Sequence, residues 1–260
     1  MSGPADSEQE VHRVWDDYWR NASERKPWDI ISRTVFLALK RQAGGFAGKS
    51  VLEVGCGTGR ISREVLRQGG QVALLDISAE ALELAQEQFL RAGCDRCDVA
   101  FIRGTLFALP LAQSSFDIVW NAGVLEHFTD EEQYHAIQEL VRVTKPGGKV
   151  IVLVPYRYSP LYRLGKFVME ETGRWPYGVE RPVGSYRNVA DQLNLSLSEH
   201  CTSFLPLMEQ ILANLPGIGK KLQAKFSVHY LEMDEGAFQR ADRRWSTVGR
   251  GHLLCCTFQR

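Results

Sequence analysis

The sequence lacks an excess of charge of either sign and any long apolar run. Its 260 residues carry 31 basic and 31 acidic side chains, a balance that gives no general signal for nucleic acid or an anionic membrane. No apolar run approaches the length of a membrane span, and the first residues lack the basic-then-apolar pattern of a secretory signal. These absences predict a cytoplasmic protein without a nucleic-acid partner.

Cysteine is scarce and gives no evident metal site. The six cysteines fit reduced thiols in a reducing compartment. Cys94 and Cys97 have the C-x-x-C spacing of some metal and redox sites, but they lie in a polar connection. Cys255 and Cys256 alternate sides in a predicted last strand, so they do not complete a four-sulfur set. We therefore expect no metal.

Internal repeats and low-complexity segments are also missing, and a regular alternation fills residues 50–155. Apolar runs predict strands over 50–54, 71–76, 98–102, 116–120 and 148–154. Helical periods lie between them, over 60–68, 79–92 and 130–143. This alternation is typical of repeated βα units and a parallel sheet. A helical, aromatic-rich lead-in over 10–42 comes first.

The alternation ends after Pro155. Residues 156–184 are rich in Tyr, Pro, Gly and Arg, which predicts a cap or loop over a site. We expect a helix over 186–194, a strand over 195–203, an amphipathic helical segment over 205–226 and a final strand. The whole forms one predicted domain, 1–260, whose parts are a helical lid at 1–45, a core at 50–155, a cap and acceptor region at 156–226 and a C-terminal strand region at 227–260.

The strongest functional signal is residues 51–59, Val-Leu-Glu-Val-Gly-Cys-Gly-Thr-Gly. The apolar run predicts a strand buried on both faces, and glycines follow where the chain turns sharply against a ligand. A helical pattern begins near Arg60, which places the ligand at a strand's carboxyl end and a helix's amino end. The dinucleotide fingerprint G-x-G-x-x-G would need a glycine at position 60, so the G-x-G-x-G spacing departs from it.

Asp76 ends the second predicted strand, beside this loop. A carboxylate there can accept hydrogen bonds from both hydroxyls of a ribose. An acid at this point also suits NAD, so Asp76 predicts a ribose rather than one cofactor. The same side chain could instead cap the helix that starts near Ser78, or do both.

Four segments in register resemble class I S-adenosylmethionine (SAM) dependent methyltransferases of the small-molecule, ubiquinone-biosynthesis type (methyltransferase types 11 and 25). They are Glu-Val-Gly-Cys-Gly-Thr-Gly at 53–59, Gly-Thr-Leu-Phe-Ala-Leu-Pro at 104–110, the stretch 116–128 that ends in Leu-Glu-His-Phe, and Val-Thr-Lys-Pro-Gly-Gly at 143–148. The resemblance implies an α/β, Rossmann-like fold with a mostly parallel seven-stranded sheet, SAM as cofactor and S-adenosylhomocysteine as product.

The resemblance also implies which residues contact the cofactor: Glu53, Gly55, Cys56, Gly57, Gly59, Asp76, Ile77, Thr105, Leu106 and Asn121. Members often have an aspartate at the position of Thr105, where it accepts from the adenine amino group. A threonine hydroxyl is a neutral, weaker acceptor, and the backbone of Leu106 is the alternative. Tyr18 of the lead-in either closes over the cofactor or packs with Trp15 and Trp19 in the core.

Methyl transfer is an in-line displacement, so the protein mainly aligns a nucleophile about 3 Å from the methyl group and excludes water. A hydroxyl acceptor also needs a base, whereas an amine needs only its lone pair. His127, just beyond the fourth strand, is the candidate base, unless it only fixes the loop. Tyr156 is a second catalytic candidate, and Glu180 and Tyr186 are further acceptor-site candidates.

Several functions stay open at this stage. The first is a methyltransferase acting on an O, N or C nucleophile of a small molecule. Others are a methyltransferase acting on a lipid-like or prenylated acceptor, on a protein or on RNA, and a SAM-binding protein without catalysis. Residues 204–222, apolar on one side and ending in lysines, either contact a lipid surface or cover the sheet edge or the acceptor pocket. The oligomeric state is not predicted.

Overall fold

The structure is a computed structural model that describes residues 4–21, 28–94, 99–247 and 251–260. Cys97, one half of the C-x-x-C pair, lies outside these residues. The strands of the described chain are β1 (Ser50–Val54), β2 (Gln71–Asp76), β3 (Val99–Arg103), β4 (Phe116–Ala122), β5 (Thr144–Pro155), β6 (Ser196–Cys201) and β7 (Leu253–Gln259).

These strands form one sheet in the order β3-β2-β1-β4-β5-β7-β6. Neighbours among β1 to β5 pair in parallel, and β7 runs antiparallel to both β5 and β6. The predicted Rossmann-like fold with a mostly parallel seven-stranded sheet is confirmed. The strand order reverses between β1 and β4, and in open α/β sheets such a point creates a crevice beyond the carboxyl ends of the strands.

Helices cover both faces of the sheet. They are α1 (Pro4–Asn21), α2 (Ile30–Ala43), α3 (Arg60–Arg67), α4 (Ala79–Arg91), α5 (Asp130–Val143), α6 (Pro160–Glu171), α7 (Arg187–Gln192), α8 (Leu205–Ala213), α9 (Gly219–Leu231) and α10 (Glu235–Thr247). Two buried cores result, one on each face, and Cys255 and Cys256 of β7 belong to opposite cores. Because both faces are buried, the strands read as nearly continuous apolar runs.

The lead-in is two helices rather than one helical stretch. Asp29 has an extended backbone, and its side chain accepts a hydrogen bond from the Ser32 N–H at 2.8 Å, which caps the start of α2. An aspartate at this position satisfies one of the backbone donors that the first helical turn leaves free. A helix start of this kind inside 10–42 was not predicted.

Three further elements differ from the sequence prediction. The cap region 156–184 contains α6, which begins with Pro160 after Ser159; proline suits a first helical position because its missing N–H would be unpaired there. The segment 205–226 is divided into α8 and α9, and the break lies at Pro216 and Gly217. Gly217 has a φ of +74°, a backbone conformation that is unfavourable for residues with side chains. α10 lies in a region where no helix was predicted.

α8 and α9 pack beside α2. The Arg33 guanidinium of α2 donates to the carbonyl oxygens of Tyr230 and Leu231, both at 2.7 Å, at the end of α9. Leu205 and Leu207 are buried, whereas Ile211 and Ile218 remain exposed. Part of the 204–222 segment is therefore buried against the rest of the protein. In the described chain, every helix is too short or too polar to cross a membrane.

Candidate functional site

A cavity of about 490 Å³ lies at the carboxyl ends of β1, β2 and β4, where the strand order reverses. Its walls come from the loop after β1, the loop after β3, the exit of β4 and α1. Nine of the predicted cofactor residues line it: Glu53, Gly55, Cys56, Gly57, Asp76, Ile77, Thr105, Leu106 and Tyr18. Leu84 and Gln88 of α4, which the sequence did not single out, line it as well.

Six predicted residues do not belong to this lining. They are Gly59, Asn121, His127, Tyr156, Glu180 and Tyr186. An added Cβ on Gly59 would stand 2.7 Å from Leu74 Cδ1 and 2.9 Å from a Phe89 ring carbon, so this glycine allows close packing behind the loop. Asn121 is completely buried in β4, and the three residues after it line the cavity in its place.

Hydrogen bonds hold the glycine loop against the end of β2. The N–H groups of Gly55 and Cys56 donate to the Leu75 carbonyl at 2.8 and 3.0 Å. Gly57 N–H donates to Asp76 Oδ2 at 2.8 Å. Gly55 and Gly57 have φ of +71° and +51°, a conformation that is strained for other residues. The loop therefore presents backbone, without side chains at these two glycines, to the cavity.

Asp76 has hydrogen-bonding capacity left. Its Oδ1 accepts from Ser78 N–H at 3.0 Å, in addition to the bond from Gly57. The cap of α4 is Ser78, whose hydroxyl accepts from Ala81 N–H at 3.4 Å, so Asp76 does not take that role. A carboxylate offers about four acceptor sites, which leaves about two for a ligand. Burial raises the pKa of Asp76.

Glu53 is a buried acid in the cavity lining. Its Oε2 has no hydrogen-bond partner among the described residues. Burial, helped by the negative charge of Asp76, raises the pKa of Glu53 to about 8. Buried carboxyl groups ionise readily only when a positive charge or hydrogen-bond donors stabilise the charged form. Glu53 is therefore suited to a cationic part of a ligand.

Thr105 lies in the loop after β3, on the cavity wall. Its hydroxyl oxygen accepts from Phe107 N–H at 3.3 Å, which forms a local turn of the kind that short polar side chains stabilise. A second lone pair of this oxygen stays available. Thr105 therefore lines the cavity, and its hydroxyl oxygen already accepts one hydrogen bond from within the loop.

Four aromatic side chains, which we call the aromatic wall, close one side of the cavity: Trp15, Tyr18, Trp19 and Tyr177. Trp15 stacks on Tyr177 with ring centres 5.9 Å apart, and Tyr18 meets Trp19 edge-on at 4.9 Å. Tyr177 belongs to the segment after α6 and was not predicted as a site residue. Its only signal in the sequence is the Tyr-rich composition of that segment.

His127 lies behind the aromatic wall, in a short 3₁₀ turn (Leu125–His127) after β4. Its Nδ1 is 2.8 Å from the Val179 carbonyl, so Nδ1 carries the hydrogen and Nε2 keeps a lone pair. Burial lowers the pKa of His127, and its ring meets Trp15 edge-on at 5.4 Å.

Tyr156, the second catalytic candidate, forms an isolated β-bridge with Val183, and its ring contacts the ring of Tyr158.

Glu126 is a buried acid that sequence reasoning missed. Its side chain follows Leu125 and precedes His127 in the same turn, and Oε2 has no hydrogen-bond partner in the described chain. Burial raises its pKa to about 8, and the charge of Glu180 adds to that rise. The one signal available from the sequence was its place next to the predicted base.

The features of this site match a known family. Residues 51–148 match the family model of a methyltransferase domain. The ubiquinone/menaquinone biosynthesis C-methyltransferase UbiE of Hahella chejuensis is 31% identical over 173 residues, which cover 58% of this chain and 68% of that protein. The ubiquinone biosynthesis O-methyltransferase of Salmonella arizonae is 34% identical over 152 residues, 57% of each protein.

A solved structure supports the fold independently. Geranyl diphosphate C-methyltransferase from Streptomyces coelicolor A3(2) superposes with a TM-score of 0.62, covering 96% of this chain and 98% of that one. The sequence identity is 13%, so the likeness concerns the fold alone. The family itself is shown by the relative from Hahella chejuensis, in agreement with the matched methyltransferase domain: the chain belongs to the class I SAM-dependent methyltransferases of the ubiquinone-biosynthesis type.

Proposed function

We propose that this enzyme transfers the methyl group of SAM to a small-molecule acceptor that binds beside the aromatic wall. The observation that carries the proposal is that one continuous cavity of about 490 Å³ joins the glycine loop to the aromatic wall. Its volume lies in the range of small-molecule and cofactor sites. The relatives are named as C- and O-methyltransferases of ubiquinone biosynthesis, which favours a small acceptor over a protein or RNA.

The lining residues suggest how the cofactor lies. The backbone of Gly55, Cys56 and Gly57 would face it closely, and Asp76 would accept from the ribose hydroxyls. Ile77 and Leu106 would pack on the adenine, beside Thr105, and Tyr18 would cover the bound molecule. Glu53 would face its cationic methionine part. Asn121 and Gly59 would support the loop and strand from behind.

The bound cofactor supplies a methyl group that its sulfonium already activates. The chain's contribution is to align the acceptor, exclude water with the aromatic wall and accept a proton where the acceptor is a hydroxyl. His127 would take that proton at Nε2 where the acceptor reaches past the aromatic wall, because its ring lies outside the cavity lining and its Nδ1 is fixed by the Val179 carbonyl. Tyr156 and residues 156–184 would form the outer part of the acceptor site.

We also infer a cytoplasmic location. The described cysteines are all free thiols, as expected in a reducing compartment. If the protein contacts a lipid surface through 204–222, the contact would form where Ile211 and Ile218 are exposed, near Lys220 and Lys221. Fractionation of cells into membrane and supernatant tests both inferences together.

Titration with SAM and a survey of acceptors test the proposed function. We expect calorimetry to show binding of SAM and S-adenosylhomocysteine but not of NAD. Mass spectrometry should then show S-adenosylhomocysteine formed in the presence of a small acceptor, and not with bulk protein or RNA. A chain that fails to bind SAM would refute the proposal, and binding without turnover on any acceptor class would favour a SAM-binding protein without catalysis.

Replacing Thr105 by Asp tests the position of the adenine. We expect SAM to bind more tightly, by about 1 kcal/mol, because a carboxylate is a stronger acceptor for the adenine amino group. An aspartate can also keep the local turn at Phe107. Thr105→Val, which removes the acceptor, should weaken binding. Calorimetry on both variants checks this, and markedly weaker binding in a folded Thr105→Asp protein would contradict the placement.

The pH dependence of SAM binding tests Glu53. The pKa of Glu53 is about 8 without ligand, and a cationic ligand should lower it, since it stabilises the carboxylate. Binding at pH 7 should therefore release a proton, and affinity should rise with pH up to about 8, by at most about tenfold per pH unit. Calorimetry in buffers of different ionisation enthalpy counts the protons.

Glu53→Gln is the control for this experiment. It removes the titrating carboxyl but keeps any titration of the ligand itself. The variant should bind SAM more weakly and release fewer protons at pH 7 than the unchanged protein. Equal proton release by both proteins would show that Glu53 does not titrate with the ligand.

A further inference from the structure

A group of polar side chains lies next to the cavity, at the exit of β4. We call it the carboxylate cluster and define it as Glu126, Glu180, Tyr162 and Arg163. Glu126 Oε1 stands 3.7 Å from the point where a Cβ on Gly123 would be, and Gly123 lines the cavity. Because Gly123 has no side chain, no Cβ fills the space beside this carboxyl oxygen.

The two carboxylates have acceptor atoms that the fold does not use. Glu126 is 3% exposed, and its Oε2 has no hydrogen-bond partner among the described residues. The side chain of Glu180 is also 3% exposed. One of its oxygens accepts from the Tyr162 hydroxyl at 2.5 Å, while the other is 3.8 Å from Arg163 Nη1, beyond hydrogen-bond distance. Burial raises the pKa of both carboxyl groups.

The aromatic wall stands on the same side of the cavity. Trp15 contacts both Tyr177 and the ring of His127, the residue that follows Glu126. Faces of tryptophan and tyrosine rings attract cations, and ammonium groups in particular are bound by such aromatic surroundings. Two independent features thus favour positive charge on this side of the cavity: a set of aromatic rings, and two buried acids that each have one oxygen without a hydrogen-bond partner in the described chain.

From this juxtaposition we propose that the methyl acceptor is a small amine, held as its ammonium form between the aromatic wall and the carboxylate cluster. The inference rests on the proposed function and names the class of its acceptor. An ammonium group brings several N–H donors and a positive charge to Glu126 and Glu180. An anionic acceptor would bring no N–H or O–H donor to these oxygens, and a hydroxyl would supply one donor for two acceptor atoms that have no hydrogen-bond partner in the described chain.

Glu126 then has a defined part in the reaction. The ammonium group gives one proton to the Glu126 carboxylate, which becomes a carboxylic acid, and the amine nitrogen gains a lone pair. That lone pair forms the new N–C bond while the S–C bond breaks and its electron pair stays on sulfur. The products are the methylated ammonium ion, S-adenosylhomocysteine and protonated Glu126, which returns its proton to water.

Three probes of matched shape test the inference: benzylamine, benzyl alcohol and benzoate. Each is titrated into the full chain loaded with S-adenosylhomocysteine, and binding is followed by thermal shift and ligand-observed NMR. We expect benzylamine to bind at least about tenfold more tightly than benzyl alcohol, the size of effect of a charge-assisted hydrogen bond. Benzoate should bind most weakly. With SAM, mass spectrometry should detect N-methylbenzylamine.

Glu126→Gln and Glu180→Gln should each weaken benzylamine binding by about tenfold and leave affinity for S-adenosylhomocysteine unchanged. Glu131→Gln, the same change at an exposed position nearby, is the matched control and should bind like the unchanged protein. Equal binding of benzylamine and benzyl alcohol, tighter binding of benzoate, or unaltered benzylamine affinity in Glu126→Gln would overturn the inference. Failure to bind S-adenosylhomocysteine at all would instead refute the proposed function.

Discussion

Replacing Gly57 by valine is expected to abolish SAM binding in any practical assay. The residue has a φ of +51°, and an added Cβ would lie 2.6 Å from Trp19 Cζ2 in the cavity wall. A β-branched side chain is strained at such a φ, and it would also fill space that the cofactor needs. The strain costs about 1–3 kcal/mol of folding stability, and the loss of affinity comes from the space that the side chain takes from the cofactor.

Gly147→Val is the matched control. Gly147 also has a positive φ, +77°, but nothing lies within 4 Å of its added Cβ. It lies in β5, near the amino end of that strand, and therefore at the opposite end of the strands from the cavity. The control should therefore lose stability in thermal unfolding through the same backbone strain and keep its affinity for SAM. Calorimetry on both folded variants decides the matter: full affinity in Gly57→Val would mean that the cofactor lies elsewhere.

Removing residues 158–180 is expected to eliminate methyl transfer while SAM still binds. Tyr156 bridges to Val183, and Arg157 N–H donates to the Val183 carbonyl at 2.9 Å, so a short glycine-serine linker can join the cut ends. The deletion removes α6, Tyr177 and Glu180, which form one side of the proposed acceptor site. The glycine loop and Asp76 stay in place, so SAM affinity should fall by no more than about tenfold, the value of one aromatic contact.

Turnover and SAM binding must be measured on the same shortened protein, after cooperative thermal unfolding has shown that it folds. Tyr177→Ala is a milder companion, since it removes one ring of the aromatic wall and leaves α6 intact. It should lower turnover more than SAM affinity. Normal methyl transfer by the shortened protein would show that residues 158–180 are dispensable, and the acceptor would then have to bind elsewhere.

The sequence was sufficient for the parts of this fold that local patterns determine. The strands β1 to β5 read as apolar runs because both faces of the sheet are covered, and Gly55 and Gly57 stood out because a sharp turn needs them. The position of Asp76 followed from its place at the end of β2. Each of these features depends on a few consecutive residues, which is why a single sequence was enough to locate them.

Other features depend on segments far apart in the chain. Trp15 meets Tyr177, and Glu126 lies near Glu180, only because α1, the β4 exit and the segment after α6 converge above the sheet. No spacing rule reveals such contacts. The break between α8 and α9 is different: Pro216 and Gly217 were visible, but the amphipathic pattern on either side of them was continuous enough to suggest one helix.

The place of β7 has a consequence for the order in which the molecule can assemble. In the described chain β6 pairs with β7 and has no other neighbour in the sheet, and β7 is inserted between β6 and β5. During synthesis, β6 and α7 emerge about fifty residues before the strand that connects them to the sheet. The parallel part, β1 to β5, can form earlier from contacts that are closer in sequence. One edge of the sheet therefore closes late, through contacts of high sequence separation, which are the slow ones to form.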